Sequence, residues 1–517
     1  MWCFPHQLPE PNQGDAQYSV YTFTTQPRVR TVALASRSHY TCCTPYQPEA
    51  SRWPALVDAL RSMWQRVFLF LALLCSSLPG YADDACRGWL EALDVALAEA
   101  RIRDIGSQRI DGYPHLRATR WLASLQREVR SEDQQTLWLS LAENEARLGW
   151  RAELQRLAPH TLLHDSWPAQ LDTCLAALTA LTGFPGIAPI RITDNYSRTQ
   201  RIVGLFPLAR LLATPSMNDY RDEMAARFRR PARLPMRHFL VEPFPGNVPV
   251  PGDLTRNSLD LPLPSPGATQ ALLNAYAPVI SIADTMIYNQ PGAIRLAEGQ
   301  PGVDYRDPVA YTWVSWTRYK GHKLLQLNYQ FWFSERPREG AFDLYGGPLD
   351  SLVWRVTLKP DGNVLFYDSI HGCGCYHKVY PVALGLAPAS DEADAPVFFP
   401  GLAPNARQQK VSVRLEPDTH YVVRVEPFVP GQQLEQYRLQ DANTLRALPD
   451  GGGGITSLYD NRGLIPHSAR AERFLLWPLG VPSAGAMRQP GTHAISFLQT
   501  RHFDDADLPE KIFRPAP

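Results

Sequence analysis

Hydrophobic positions follow two different periods along the chain. Within residues 83–230 apolar residues recur at helical spacing, as in Leu90, Leu93 and Leu97. From about residue 305 the period changes to two, with Leu325 and Leu327 alternating with polar neighbours. The pattern predicts an α+β fold, with a helical N-terminal region followed by an antiparallel β-rich C-terminal domain of sandwich or open-barrel type.

The β-rich domain, 305–517, is predicted from strands and turn signals. The segment from Leu325 to Phe333 alternates apolar and polar residues, which predicts a strand buried on one face. Three hairpins are predicted: residues 311–319 with the strand after Lys320-Gly321-His322, 352–358 with 364–370, and 411–415 with 420–425.

Residues 231–304 are predicted to connect the two regions. Nine prolines fall between Pro231 and Pro266, too many for regular structure. Just before them, 201–230 combines an apolar stretch with a basic amphipathic helix. Such a segment either packs on a neighbouring domain or makes peripheral contact with a membrane.

An export signal is predicted inside the chain, at residues 63–82. Arg61 and Arg66 precede an unbroken apolar run, 67–75, and Gly80-Tyr81-Ala82 offers small residues for cleavage near Ala82. Residues 1–62 are then a non-native leader from a misassigned start, or a disordered tail. Without cleavage, 64–82 would be a single-pass membrane anchor, although the run is short for one.

Composition and charge narrow the function classes. Lys and Arg together number 51 and Asp and Glu number 51, so no electrostatic footprint for nucleic acid exists. Cleavage near Ala82 would leave a slightly acidic periplasmic or secreted chain of about 435 residues. Four cysteines would remain, and three pairings are open to them in an oxidising compartment. A Cys86–Cys174 disulfide would link the first and last helices of the helical region.

The candidate functional segment is 371–377, His-Gly-Cys-Gly-Cys-Tyr-His, whose side chains could bind a metal or react. In a straight strand His371, Cys373, Cys375 and His377 would share one face, too far apart for a single metal ion. The interleaved glycines permit a bulge or turn that would gather them. A mixed nitrogen and sulfur set suits zinc or copper.

Other readings of the same segment remain open. Cys373 and Cys375 could form a structural or redox-active disulfide, or one thiol could be a nucleophile assisted by a histidine. Asp368, His493 and His502 are weak catalytic candidates that matter only if folding brings them near Cys373.

Three stretches carry a family resemblance: 112–122, 329–337 and the segment 371–377. They resemble an uncharacterised family of exported proteins from Gram-negative bacteria that share an HxCxCYH segment. The resemblance covers most of the chain after residue 62 and implies no activity.

The sequence therefore favours an exported, periplasmic metal-binding protein or metal-dependent enzyme with a His/Cys site. Two alternatives stand beside it: a non-catalytic envelope or binding protein with structural disulfides, and a thiol–disulfide redox protein using the Cys373/Cys375 pair. The residues indicate no substrate.

Overall fold

The computed structural model describes residues 79–157, 163–230, 236–243, 246–254, 256–283, 286–340, 342–430 and 433–514. All of them belong to one compact unit, Ser76–Pro517. The leader at 1–62 and residues 63–78 of the predicted signal lie outside the described residues. Among the helices that are described, none has the length and apolar character needed to cross a membrane.

The N-terminal region is mainly helical, as predicted. Its elements, in chain order, are α1 (Pro79–Glu99), β1 (Gln108–Ile110), β2 (Tyr113–Ala118), α2 (Arg120–Leu125), α3 (Glu132–Leu154), α4 (Trp167–Ala180), α5 (Arg198–Val203) and α6 (Phe206–Arg227).

Local signals explain the ends of these helices. Ser131 caps α3 by accepting the N–H of Gln134, whose side chain reaches back to the N–H of Ser131. A disulfide joins Cys86 in α1 to Cys174 in α4, which confirms the predicted link and is compatible with export. Leu90, Leu93 and Leu97 of α1 are buried beside it.

The rest of the chain is rich in strands. They are β3 (Arg237–Leu240), then helix α7 (Pro266–Ala275), β4 (Val279–Ile282), β5 (Ala293–Ala297), β6 (Gln300–Asp304), β7 (Val309–Tyr319), β8 (His322–Arg336), β9 (Gly347–Leu358), β10 (Val364–His371), β11 (Lys378–Pro381), β12 (Val397–Phe398), β13 (Val411–Leu415), β14 (Val422–Pro427), β15 (Gln433–Gln436), β16 (Arg438–Asp441), β17 (Leu448–Pro449) and β18 (Ile455–Thr456). Two short helices follow, α8 (Arg473–Leu476) and α9 (Leu508–Ile512).

A seven-stranded sheet in the order β12-β11-β10-β9-β8-β7-β16 forms the centre of this region. Its strands from β7 to β11 pair antiparallel, and its two edge strands pair parallel. The hairpins β7–β8, β9–β10 and β13–β14 confirm the three that the turn signals predicted.

A five-stranded mixed sheet, β14-β13-β4-β3-β15, packs on one face of the larger sheet. Two of its strands, β3 and β4, come from 231–304, and β3 lies between Pro231 and Pro266, so the expectation that this stretch lacks regular structure was wrong there. Strand β3 fits between Pro235 and Pro243 because it needs only four residues. The shared core includes Phe239 and Ile280 from the smaller sheet and Phe331 from the larger.

None of the described sheets closes into a barrel, and the two sheets instead form layers with a common core. The prediction that β8 is buried on only one face was wrong. Gln326, Asn328 and Gln330, on its polar face, are at most 3% exposed. The N-terminal region and the C-terminal segment cover that face, so these amides line an interior space instead of meeting solvent.

Candidate functional site

The segment 371–377 is a turn, and the chain reverses within it. Strand β10 ends at His371 and β11 begins at Lys378. The N–H of His371 donates to the carbonyl of Cys375 at 3.0 Å, and the N–H of Gly374 donates to the carbonyl of His371 at 2.8 Å. Gly374 has a φ of +92°, a conformation that glycine adopts without strain.

Gly372 serves the turn in a different way. A Cβ at this position would overlap the hydroxyl oxygen of Ser351 on β9 and lie 3.1 Å from the Met487 sulfur. The backbone therefore approaches β9 and the C-terminal segment more closely than any other residue would allow. This approach brings His493 beside the turn, because its neighbour Ala494 lies against Gly374.

Side chains alternate between the two faces of the large sheet along β10, so His371 and Asp368 lie on opposite faces. His371 lies opposite Leu352 and shares its face with the core between the two sheets. Asp368 lies opposite Arg355 and points to the other face. Two buried polar clusters result, one on each side of the sheet.

The inner cluster consists of Asp350, His371 and His420. Nδ1 of His420 lies 2.7 Å from one Asp350 oxygen, and Nδ1 of His371 lies 3.3 Å from the other. Burial alone would raise the pKa of Asp350, but the two imidazoles hold it well below its usual range. Both Nε2 atoms are buried without a hydrogen-bond partner. A histidine held this way can act as a base, although tyrosine and phenylalanine rings pack closely around it.

Lys378 lies beside the inner cluster and was missed by the sequence reasoning. Its Nζ lies 4.5 Å from the ring centroid of Tyr421. No carboxylate among the described residues pairs with it. Burial, with the nearby charges of Arg227 and Arg336, lowers the pKa of Lys378 to about 7. The sequence signal that could have identified Lys378 is a lysine next to apolar residues in a strand, as in Lys378-Val379-Tyr380.

The outer cluster consists of Arg355, Asp368 and His377. Arg355 Nε donates to Asp368 at 2.8 Å, and His377 Nε2 lies 3.1 Å from the same carboxylate. Burial would raise the pKa of Asp368, but Arg355 and His377 lower it. Arg355 also donates to the carbonyl of Phe503 at 2.6 Å, which ties the cluster to the C-terminal segment.

Cys373 and Cys375 are free thiols in the turn. The N–H of Cys375 donates to the sulfur of Cys373 at 3.3 Å. Cys373 and burial raise the pKa of Cys375 well above its usual range, which disfavours a reactive thiolate. The raised pKa speaks against Cys375 as a nucleophile, and the redox-active pair stays a prediction.

The four residues predicted to bind a metal are divided by this arrangement. His371 belongs to the inner cluster, His377 belongs to the outer cluster, and the thiols pack in an apolar cluster with Leu349 and Met487. Within the described parts of the chain, no group of three or more His, Cys, Asp or Glu side chains is placed to hold a metal ion. Zinc or copper binding by His371, Cys373, Cys375 and His377 stays a prediction.

A cavity of about 380 Å³ lies between the outer face of the large sheet and the N-terminal region. Its walls include three tryptophans: Trp121 of α2 and Trp313 and Trp316 of β7. Gln326 and Asn328 supply amides from β8. Arg355, His493 and Phe503 close the end next to the outer cluster.

Several polar atoms around the cavity have no partner. They are Nε1 of Trp121, the hydroxyl of Tyr459 and Nε2 of His493, all buried. Burial and the charge of Arg488 lower the pKa of His493 to about 3, so its ring is neutral. Burial also raises the pKa of Glu145, whose carboxyl group lies in the wall. The three unpartnered atoms are themselves covered by protein, whereas the indoles of Trp313 and Trp316 are partly exposed in the wall and can meet a ligand.

The weak catalytic candidates from the sequence lie in different places. Asp368 is in the outer cluster, and His493 is in the cavity wall next to the turn. His502 lies 3.1 Å from Asp194 and 3.5 Å from Asp505, in a separate ion-pair group. The cavity itself was missed because the alternating Gln326 and Asn328 were interpreted as a solvent-exposed face.

Comparisons of the chain with protein-family models, curated proteins and solved structures give no match. The resemblance to exported Gram-negative proteins therefore stays a prediction.

Proposed function

We propose that the protein is an exported, periplasmic binding protein whose cavity takes a small, uncharged, polyhydroxylated ligand of the mono- or disaccharide class. The observation that carries the proposal is the tryptophan-lined cavity, whose wall also includes the amide residues Gln326 and Asn328. This proposal selects the binding-protein alternative from the sequence analysis, because the cavity offers room for a ligand.

The charges around the cavity favour an uncharged ligand. Arg355 is neutralised by Asp368, and Arg446 is neutralised by Asp104, to which it donates from Nε at 2.9 Å. His493 is neutral, and Glu145, whose pKa is raised by burial, lies near the charge of Arg446. A ligand with a net charge would find no free countercharge in these groups, and burying it would cost free energy.

The chemistry of the wall favours hydroxyl groups on an apolar frame. Indole rings offer flat apolar surfaces on which the C–H faces of a sugar can pack. Amides such as those of Gln326 and Asn328 both donate and accept hydrogen bonds. A volume of about 380 Å³ lies at the small end of the range for ligand pockets.

The proposal is tested by titrating the protein with glucose, N-acetylglucosamine, maltose and cellobiose while tryptophan fluorescence is recorded. We expect saturable quenching or a spectral shift with at least one of them, because three tryptophans meet the ligand. Gluconate and glucose 6-phosphate are charged controls and should bind at least tenfold more weakly. If none of the four sugars changed the fluorescence, the proposal would be contradicted.

A metal site is the second proposal, and free thiols at Cys373 and Cys375 favour it. Both thiols, with His371 at the start of the turn, lie within five residues. Metal analysis by mass spectrometry of tag-free protein tests it. Stoichiometric zinc or copper that is lost in the His371→Ala, His377→Ala double variant would support this proposal, and metal-free protein would contradict it.

A further inference from the structure

The large exposed apolar side chains of α5 and α6 gather on one surface. Six of them are between 54% and 75% exposed: Ile202, Val203, Leu205, Leu208, Leu211 and Leu212. Phe474, Leu475 and Trp477, from α8 and the turn that follows it, are between 38% and 68% exposed. We refer to these nine side chains as the apolar surface.

The two segments that form the apolar surface are packed against each other. The N–H of Ser197 donates to the carbonyl of Gly480 at 2.7 Å, and Arg201 Nε donates to the carbonyl of Leu479 at 3.0 Å. Gly204 approaches so closely that a Cβ there would lie 2.5 Å from the Cα of Pro478. The apolar side chains therefore form one patch, which is unusual for a surface that stays in water.

Arginines predominate among the charges near the apolar surface. Residues 196–218 and 473–487 together contain four arginines and no Asp or Glu, and the neighbouring Glu472 is buried. Arg198 and Arg210 are exposed. Arg473 lies 4.7 Å from the ring centroid of Phe474. None of these three pairs with a carboxylate in the described part of the chain.

The backbone also holds an exposed leucine in a strained conformation at this place. Leu205, between α5 and α6, has a φ of +50° and is 64% exposed. Glycine would occupy this position at lower cost. The strain keeps an apolar side chain in the patch, which points to a use for that side chain outside the folded chain itself.

We propose that the apolar surface docks on the surface of an anionic lipid bilayer. Leucine, phenylalanine and tryptophan side chains would enter the boundary between headgroups and acyl chains, and the unpaired arginines would meet lipid phosphates. The site is distinct from the cavity and does not depend on it. It adds α8 to the segment 201–230, for which the sequence allowed membrane contact.

The test is co-flotation with vesicles, using protein made from the full gene so that the host cell carries out its own processing. One set of vesicles contains phosphatidylglycerol and phosphatidylcholine, and the other contains phosphatidylcholine alone. We expect at least tenfold stronger binding to the anionic set, weakened by added salt because lipid charge is screened.

Two variants make the test specific to the apolar surface. The double variant Leu208→Asp, Leu211→Asp should lose binding at least tenfold while its thermal unfolding midpoint is unchanged. Leu205→Gly removes one apolar side chain and relieves its backbone strain, so binding should weaken while stability stays equal or rises.

Matched controls have the same changes elsewhere. Leu384→Asp, Val429→Asp alters two side chains that are 84% and 75% exposed in other loops, and Lys320→Gly relieves a φ of +51° in the β7–β8 hairpin. Both controls should bind vesicles like the unmodified protein.

Three results would overturn the proposal. They are equal binding by the Leu208→Asp, Leu211→Asp variant, no vesicle binding by the unmodified protein, and a concentration-dependent dimer that this variant abolishes without any vesicle binding. The last result would show that a second copy of the chain covers the apolar surface.

Discussion

At the scale of single residues, Gly372 and Gly374 decide where the histidines and thiols of the turn lie. Gly372 lets the turn touch β9, and Gly374 supplies the left-handed conformation that reverses the chain. The alternation of β10 then places His371 and Asp368 on opposite faces. A change at either glycine would therefore displace both polar clusters together.

We expect Gly372→Ala to destabilise the protein by about 1 to 3 kcal/mol, because the added methyl group overlaps the Ser351 hydroxyl in a packed core. Chemical unfolding followed by circular dichroism measures the loss. Gly267→Ala is the control, because a Cβ added there, in the first turn of α7, would meet no neighbouring side chain or distant backbone within 4 Å, and it should be neutral or slightly stabilising. Equal stability of the two variants would contradict the close approach at Gly372.

His493 makes the stability of the folded protein depend on pH. Its pKa is about 3 in the folded chain, below the value of about 6.5 in an unfolded chain, so the unfolded chain takes up the proton first as the pH falls. Stability is therefore lost from pH 6.5 downward. When the pH falls from 7.5 to 5.0, the free energy of unfolding of the unmodified protein should fall by about 2 kcal/mol more than that of the His493→Gln variant.

Urea unfolding at the two pH values measures this difference. The exposed His322 provides the control, and His322→Gln should keep the pH dependence of the unmodified protein. If His493→Gln also kept the pH dependence of the unmodified protein, the result would exclude a neutral, buried His493 in the cavity wall.

At the scale of elements, the helices and hairpins follow local signals and the site does not. The capping box at Ser131 and the turn at Lys320-Gly321 each act within a few residues, so the sequence predicts them. The polar face of β8 is different, because an alternating pattern shows that two faces differ but does not show what covers them. Likewise, β3 is stabilised by β15, about 200 residues away, and no local pattern reports that pairing.

The Cys86–Cys174 disulfide joins α1 to α4 across 88 residues. Replacing both cysteines with serine should lower the free energy of unfolding by roughly 4 to 5 kcal/mol, because the unfolded chain gains the freedom of a long loop. Differential scanning calorimetry of the variant, and of the unmodified protein with and without reductant, measures this effect. A variant as stable as the oxidised protein would show that the bridge contributes nothing.

At the scale of the whole molecule, one sheet separates two environments. Its inner face carries the Asp350 cluster within the core shared by the two sheets. Its outer face carries the cavity, which is completed by the N-terminal region and the C-terminal segment. Residues far apart in sequence, such as Trp121 and His493, meet only after these parts pack together, so the cavity could not be predicted from the pattern of any one segment.

The cavity is proposed to bind an uncharged sugar, and Trp313 offers the most direct test. Its indole lines the cavity and is partly exposed, so Trp313→Leu should remove a flat apolar surface that a sugar packs on. Trp477→Leu alters a tryptophan that is 38% exposed outside the cavity and serves as the matched control.

Isothermal titration calorimetry of the three proteins with the tightest-binding sugar is the decisive measurement. We expect affinity that is roughly three- to tenfold weaker for Trp313→Leu, because one aromatic packing surface is lost, and unchanged for Trp477→Leu. Equal affinity in all three proteins, or no heat of binding from any sugar, would contradict the proposal.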